Sequence, residues 1–337
     1  MSNATPIPAL AGTAPNIGSW RRDAILAAVA IAIGIALQLG VPSVLLLTLL
    51  AQATISGILA MSVGTLLRLN GVVSFGNAAF YGIAAYTIAL SLKHGWMSAE
   101  LSILLALALP TVLAFVLGLG IVGIPGIAFS MLTLAVGQAF YEFATKARDF
   151  VGGDDGMSIN LPSQLFGIST AVFQRAQTMF LISWVVLVML VFSLSVLTRS
   201  HFGRLAEAIR ENEERARFMG YQTKVPRAIV LAISAFIAAL SGVLFAIYNA
   251  FVSPDLLHWS LSGSALIMVI IGGPKLLWGP AFGAIIFFFF KDVAGNLTEH
   301  WPAMIGLTLI IVTVMLPHGI GGSLVRLFAR LRGTKVQ

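Results

Sequence analysis

The stretch VLLLTLLAQATISGILAMSVGTLLR, residues 44–68, decides the fold, because its only charged side chain is Arg68 at its end. It is longer than the roughly 20 apolar residues that an α-helix needs to cross the hydrocarbon core of a bilayer. Similar apolar runs recur along the chain. They predict ten helices, over residues 24–40, 44–68, 77–92, 100–118, 121–143, 177–198, 228–249, 260–273, 280–295 and 302–317. The eighth run is short and serine-rich, so the helix there is expected either to be broken or to start earlier.

The composition gives the same class of protein. Of the 337 residues, 58% are hydrophobic and 10% are charged, whereas soluble domains have about 25% charged residues. Such a chain cannot cover a water-facing surface of its own size. We therefore predict an all-α fold, a polytopic transmembrane helix bundle of about ten spans. The chain has no cysteine, which excludes disulfides, zinc–thiolate sites and a cysteine nucleophile.

The distribution of charge predicts the topology. The net charge is +7, but the charges lie in short segments between the apolar runs, so nucleic-acid binding is not expected. With the amino terminus in the cytosol and ten crossings, five of the 20 basic residues fall outside: Lys93, Lys146, Arg148, Arg175 and Lys291. The remainder fall inside, as the positive-inside rule requires. Both termini are therefore predicted to be cytosolic.

The same pattern divides the chain. We predict a flexible cytosolic tail over residues 1–23, a transmembrane domain over 24–322 and a basic cytosolic tail over 323–337. Two connections are too long for simple turns. One is an outer loop over residues 144–176, and the other is a charged cytosolic segment over residues 199–227.

Catalytic and metal-binding patterns are weak throughout. No two histidines stand at i and i+4, so no helical metal pair is expected, and no phosphate-binding loop is found. Ser260-Leu261-Ser262-Gly263 faintly resembles an intramembrane serine protease motif but has no histidine base at membrane depth. Proton-coupled carriers need titrating groups at mid-membrane, and none is evident. A sodium site built from backbone carbonyls is left open, but energy from a partner protein is the simpler interpretation.

The cytosolic segment predicts a short amphipathic helix. Phe202, Leu205, Ala206 and Ile209 recur every three or four residues and form one apolar stripe. Charged pairs at i and i+4, Glu211 with Arg215 and Glu213 with Arg217, favour the helix. A break is expected near Asn212, and Gly220 suits a left-handed helix end. The near balance of acid and base favours a protein groove over an anionic lipid surface as the binding partner of this helix.

Five motifs resemble one family. Residues 203–220 look like the ATPase-coupling loop of bacterial branched-chain amino acid ABC transporter permeases of the LivM type. Residues 74–80 resemble the first glycine-rich motif of that family, residues 152–156 its outer-loop motif, and Val252-Ser253-Pro254 with residues 271–284 its carboxyl-terminal signature. The resemblance covers residues 24–322. One departure is Asn77, where the family often has histidine.

The resemblance implies a membrane subunit of an importer in the bacterial inner membrane. Its expected partners are a sister permease, two cytosolic ATPases that bind ATP and magnesium, and a periplasmic substrate-binding protein; the chain itself is expected to be no enzyme and to hold no cofactor and no metal. Its expected solute is leucine, isoleucine, valine or a similar amino acid. The expected ATPase-coupling residues are Gly203, Arg204, Ala208, Ile209, Arg210, Glu211, Glu213 and Gly220.

Two further sets of residues are candidates for function. A zwitterion that crosses a bilayer needs hydrogen-bond partners, because water removed without replacement costs several kcal/mol. Polar residues near the spans are therefore candidates for the translocation path, although each could instead bond a neighbouring helix: Asn70, Ser74, Asn77, Gln138 and Ser253, with the adjacent Phe75. The outer motif Gly152, Gly153, Asp155 and Gly156 is either a binding-protein dock or a tight turn.

Three other functions remain open at this stage. The same fold could import urea, short amides or another small organic solute. A secondary carrier driven by an ion gradient is a weaker alternative, and a membrane enzyme is the weakest. The sequence of this subunit does not fix the solute, because selectivity in such systems is expected to lie mainly in the binding protein.

Overall fold

The computed structural model describes residues 17–124, 126–297, 300–316, 319–323 and 326. Its helices are α1 (Ile17–Gly40), α2 (Val44–Asn70), α3 (Asn77–Lys93), α4 (Ala99–Ile121), α5 (Gly126–Lys146), α6 (Arg148–Val151), α7 (Thr170–Phe173), α8 (Ala176–Arg199), α9 (His201–Glu211), α10 (Glu213–Phe218), α11 (Lys224–Asn249), α12 (Trp259–Gly272), α13 (Gly279–Leu297) and α14 (Trp301–Met315). Two-residue strands β1 (Met157–Ser158), β2 (Gln164–Leu165), β3 (Ile168–Ser169) and β4 (Phe251–Val252) form two antiparallel ribbons, β1 with β4 and β2 with β3.

The chain is mostly helical, as predicted, and each of the ten apolar runs contains a helix. Within the described residues, seven helices are long and apolar enough to cross a membrane. The other three, α3, α12 and α14, have 17, 14 and 15 residues. The number of crossings and the side on which the termini lie therefore stay predictions. The serine-rich run forms one unbroken helix, α12.

Several boundaries differ from those predicted. Helix α1 begins at Ile17, so the end of the predicted tail 1–23 is helical. Residues 1–16 and most of the predicted tail 323–337 lie outside the described residues. Helix α4 continues to Ile121 and α5 begins at Gly126, because the turn falls at residues 122–124. The outer loop 144–176 contains short helices and strands that apolar periodicity does not reveal.

Helices α2 and α11 run antiparallel through the centre of the bundle. Three hydrogen bonds from side chains to carbonyls join them, and we call this contact the α2–α11 seam. Asn70 Nδ2 donates to the Arg227 carbonyl at 3.0 Å, Ser234 Oγ to the Ser62 carbonyl at 2.9 Å, and Ser241 Oγ to the Ile55 carbonyl at 2.6 Å. The α11 members are seven residues apart, a spacing that returns to the same face of a helix every two turns.

Helix α3 is short because it starts inside the bundle. Residues 71–76 fold back along the end of α2, where Ser130 Oγ of α5 donates to the Val73 carbonyl at 2.7 Å. Asn77 at the start of α3 bonds Ser62, which lies about 12 Å before the end of α2 at the helical rise of 1.5 Å per residue. The polar start of α3 thus lies within the protein interior and not at its surface.

Small residues allow the closest helix contacts. In lipid, burial of leucine against leucine adds little, and helices associate through close packing that glycine permits. Gly279 and Gly283, four residues apart on α13, are used in this way. A Cβ on Gly283 would overlap the Met268 carbonyl of α12, and a Cβ on Gly279 would overlap the Gly273 carbonyl. These glycines set the distance between α12 and α13.

Replacement of Gly283 by alanine should therefore destabilise the protein. The added methyl meets backbone, which cannot rotate away, and overpacking of this kind costs about 1–3 kcal/mol. The melting temperature of the detergent-purified chain should fall for Gly283→Ala. Gly295→Ala on the same helix is the matched control, because a Cβ there meets nothing within 4 Å. Equal melting temperatures for the two variants would contradict the packing role.

Candidate functional site

The charged segment between α8 and α11 folds into two helices, α9 and α10, with the break at Asn212 that the sequence predicts. Ser200 Oγ accepts from the Gly203 amide at 3.1 Å and caps α9, and Asn212 Oδ1 accepts from the Arg215 amide at 2.9 Å and caps α10. Each cap satisfies a backbone donor that the first turn of a helix leaves free. The two caps therefore explain why the segment is two helices and not one.

The end of α10 has the predicted left-handed glycine. Gly220 has φ of +87°, a conformation that glycine adopts at little cost. Its amide donates to the Arg217 carbonyl at 2.9 Å, and the Tyr221 amide donates to the Ala216 carbonyl at 3.1 Å. This pair of bonds is the Schellman motif that ends many helices, and it turns the chain back toward α11.

The apolar stripe of α9 packs against the chain's own spans. Gly203, Ala206 and Ile209 are buried, and α9 contacts α2, α8 and α11. Gly203 is required by close packing, since a Cβ there would overlap the Leu197 carbonyl. The expectation that this stripe fits a partner's groove is therefore corrected. The surface left for a partner is the opposite, polar side of α9, which includes Arg204, Ala208 and Glu211.

Two polar contacts fasten α9 and α10 to the ends of the seam helices. Arg210 Nη1 donates to the Arg68 carbonyl at the end of α2 at 2.6 Å. Glu213 pairs with Arg227 in the first turn of α11, with 2.6 Å between Oε2 and Nη1. Arg227 is 10% exposed at its side chain, so its charge is held mainly by Glu213. We call these two contacts the clamps.

Further bonds hold the Glu213 clamp in place. Arg217 Nη2 donates to Glu213 Oε1 at 2.8 Å, and Thr223 Oγ1 donates to the same oxygen at 2.8 Å. The predicted pair Glu213 with Arg217 is thus confirmed. The other predicted pair is wrong: Glu211 and Arg215 lie on opposite sides of the break at Asn212, and no ion pair joins them in the described part of the chain.

An exposed apolar tip lies at the end of α10. Phe218 is 90% exposed, Met219 62% and Tyr221 52%. Large apolar side chains on such a surface mark sites of protein contact more often than chance. Sequence reasoning missed these residues because they stand next to Gly220, outside the apolar stripe. The sequence contains one indication of them, because the apolar residues Phe218, Met219 and Tyr221 interrupt an otherwise charged segment.

The central candidate of the translocation path, Asn77, is fully buried in a cluster between α2, α3 and α11. Its Nδ2 donates to Ser62 Oγ at 2.8 Å and to Ser234 Oγ at 2.9 Å. Ser262 of α12 accepts from the Ala78 amide at 2.7 Å. The amide of Asn77 therefore joins helices, and its Oδ1 has no hydrogen-bond partner among the described residues.

The other path candidates are spread along the bundle. Asn70 is buried at the α9–α10 end and bonds the Arg227 carbonyl. Ser74 is buried and accepts from the Gly76 amide at 3.1 Å, while the ring of Phe75 lies edge-on to Trp259. Gln138 donates to Glu142 at 3.3 Å on α5. Ser253 lies at the opposite end, beside β4. The structure does not gather these residues into one site, and their role in transport stays a prediction.

The outer-loop motif packs against the segment that contains Ser253. Gly152, Gly153 and Gly156 have φ of +90°, +63° and +67°, and a Cβ on Gly156 would overlap the Val252 carbonyl. Asp155 is exposed and pairs with Arg148 at 2.5 Å. Strand pairing of Met157 with Val252 continues this contact. The glycines are thus explained by a tight turn, and the docking role stays a prediction.

Comparison with known proteins agrees with this architecture. The profile of a family described as branched-chain amino acid transport system / permease component matches residues 45–314. The high-affinity branched-chain amino acid transport system permease protein LivM of Escherichia coli (strain K12) is 26% identical over 288 residues, 78% of this chain and 67% of that protein.

LivM of Salmonella typhimurium is 24% identical over 283 residues, with the same coverage of 78% and 67%. The autoinducer 2 import system permease protein LsrC of Photorhabdus laumondii subsp. laumondii is 27% identical over 244 residues, 71% of this chain and 69% of that protein. No solved structure matches the chain.

The Glu213 clamp makes a testable contribution to the order of α10. Arg227→Gln should remove the ion pair that joins Glu213 to α11 and leave Glu213 paired with Arg217 of its own helix, and hydrogen bonds to charged groups contribute about 1.5–3 kcal/mol. Amide hydrogen exchange in α10 should therefore become at least about tenfold faster. Arg215→Gln is the matched control, because the Arg215 side chain is exposed and forms no ion pair in the described region. Unchanged exchange in Arg227→Gln would show that the clamp does not order α10.

Proposed function

The chain belongs to the family of branched-chain amino acid transport system permease components, and on that basis we propose that it is the membrane-spanning permease subunit of an ATP-driven importer for branched-chain or other hydrophobic amino acids. The observation that carries the proposal is the pair of clamps, which fastens a partly exposed helical segment to both helices of the α2–α11 seam. A permease driven by a separate motor protein needs such a connection.

The proposed mechanism divides the work between subunits. Two cytosolic ATPases bind ATP and magnesium and dock on the polar side of α9 and on the apolar tip, Phe218, Met219 and Tyr221. Closure of the ATPase pair moves α9 and α10. Because Arg210 bonds the end of α2 and Glu213 bonds the start of α11, the motion reaches both seam helices directly. This chain performs no hydrolysis itself.

The remaining partners follow from the same proposal. A second permease subunit completes the membrane part, and a periplasmic binding protein delivers the solute at the end that contains Gly152, Gly153, Asp155 and Gly156. The chain then lies in the bacterial inner membrane with about ten spans and with both termini in the cytosol. In this orientation α9, α10 and the basic ends of α2, α8 and α11 face the ATPases.

The solute class rests on the relatives. The two LivM proteins are named for branched-chain amino acids, and the interior of this chain is apolar enough to suit such side chains. The alternative is another small organic solute carried by the same fold, such as urea or a short amide. The similarity to LsrC supports this alternative, because that permease is named for import of autoinducer 2.

The exposed tip should be needed for coupling. Phe218→Ala removes an exposed ring without touching a packed contact. Truncation of an aromatic residue that is a hot spot of an interface costs about 2 kcal/mol or more, roughly 30-fold in affinity. Co-purification of the ATPases and uptake of labelled leucine should both fall. Phe236→Ala is the control, since Phe236 is partly exposed on the span α11. Normal uptake with Phe218→Ala would remove the tip from the proposed interface.

The energy source gives a second test. Vesicles that contain the chain alone should build no solute gradient under any membrane potential or cation gradient. Vesicles with the sister permease, the ATPases, the binding protein and MgATP should accumulate leucine. Accumulation by the chain alone would support the secondary carrier and overturn the proposal. If the complete system accumulates another small solute but not leucine, the permease function is supported and the assignment of the solute is wrong.

A further inference from the structure

A groove of about 670 Å³ lies between α1 and α13 at the end of the bundle that carries α9 and α10. Helix α8 forms its floor, and α2 contributes Arg68 at its end. The groove is open at the side because α1 packs against α8 and makes no substantial contact with α13 among the described helices. Trp184 fixes α1 there, since its Nε1 donates to the Ala30 carbonyl at 2.8 Å. The opening of the groove therefore results from the way in which α1 packs on α8.

The walls of the groove are apolar. Side chains of three helices contribute to them: Leu26, Ala27 and Ala30 from α1, Trp184, Leu187, Val188, Val191 and Phe192 from α8, and Ala281, Phe282 and Ile285 from α13. Leu26 remains 59% exposed. Long hydrocarbon chains fill such walls favourably, because the transfer of apolar surface out of water is favourable.

The rim of the groove is cationic. Four basic side chains, Arg22, Arg68, Arg199 and Lys275, line it together with one acid, Asp23. The Asp23 carboxylate already has partners within the protein. It accepts from Ser195 Oγ at 2.6 Å, and it pairs with Arg199 at 2.8 Å and with Arg22 at 4.0 Å. One carboxylate thus faces four cations.

Two of these cations have no acid at ion-pair distance in the described structure. Arg68 donates to the Lys275 carbonyl at 2.7 Å, and at longer range it interacts with the acid Glu207 and with the like charge of Arg210. Lys275 is exposed, and its side chain pairs with no carboxylate in the described ranges. Positive charge therefore collects at the mouth of an apolar groove, at the level where α1, α2 and α8 leave the hydrophobic part of the bundle.

We infer that this groove binds an anionic phospholipid of the leaflet on the α9–α10 side, with acyl chains along α1, α8 and α13 and the phosphate among Arg22, Arg68 and Lys275. Basic pockets between membrane helices suit anionic headgroups. The site adjoins the Arg210 clamp, which bonds the backbone carbonyl of Arg68, but the groove side chains do not include Arg210 or Glu213. It can be tested on the purified chain without any transport assay.

The charge part of the site is tested with lipids of matched chains. The full chain in detergent should retain phosphatidylglycerol over phosphatidylethanolamine, measured by native mass spectrometry. Each basic residue near an anionic headgroup contributes about a factor of five, so the double variant Arg22→Gln and Lys275→Gln should weaken phosphatidylglycerol binding roughly 25-fold. Lys224→Gln is the control, as an exposed lysine at the same end that does not line the groove. Equal retention of both lipids by the unmodified chain would overturn the proposal.

The apolar part is tested separately. Ala27→Phe fills the groove and should reduce binding of both lipids. Ala28→Phe is the matched control, because Ala28 is exposed on α1 and does not line the groove. Inorganic phosphate should not displace the lipid, since it occupies none of the apolar walls. Displacement by phosphate, or equal lipid binding by the two phenylalanine variants, would contradict the assignment.

A subunit that covers the groove is the competing outcome. The chain has no cysteine, so Ala27→Cys provides a single reporter. In the assembled transporter this cysteine should still react with a lipid-soluble maleimide, and added phosphatidylglycerol should slow the reaction. Protection by the sister permease in the absence of lipid would show that a protein occupies the groove, and would overturn the lipid assignment.

Discussion

The structure depends on the α2–α11 seam. In lipid the hydrophobic effect does not drive one apolar helix onto another, so close packing and interhelical hydrogen bonds must hold the bundle together. The seam supplies both. Three side-chain donors on or beside it bond carbonyls of the facing helix, and alanine, serine and glycine along α2 and α11 allow the backbones to approach. Helices α3, α4, α8 and α13 then pack around this pair.

The seam also explains why the clamps lie where they do. Arg210 bonds the last turn of α2, and Glu213 bonds the first turn of α11. Between these points Asn70 already joins α2 to the Arg227 carbonyl. A force on α9 and α10 is therefore applied to two neighbouring helix ends that are themselves bonded. Under the proposed mechanism, movement of α9 and α10 would therefore act on the ends of α2 and α11 together.

Sequence reasoning predicted the parts of this arrangement that depend on local chemistry. The apolar runs predicted every long helix, Asn212 predicted the break between α9 and α10, and Gly220 was identified as the left-handed end of α10. Sequence reasoning did not predict that the apolar stripe of α9 packs against α2, α8 and α11. An apolar stripe has the same sequence pattern whether it contacts helices of the same chain or a partner protein. The clamps were also invisible, since Arg68 and Arg210 are far apart in sequence and bond through a backbone carbonyl.

For Asn77, too, the sequence did not reveal which neighbours the side chain contacts. Its position in a glycine-rich motif is typical of a functional residue, yet both of its amide protons are used to hold α2 and α11. The buried amide of Asn77 is therefore explained by the packing of α3 against α2 and α11. In the sequence, an asparagine of a glycine-rich motif looks the same whether it joins helices or lines a path for a solute, so only the three-dimensional contacts reveal this role.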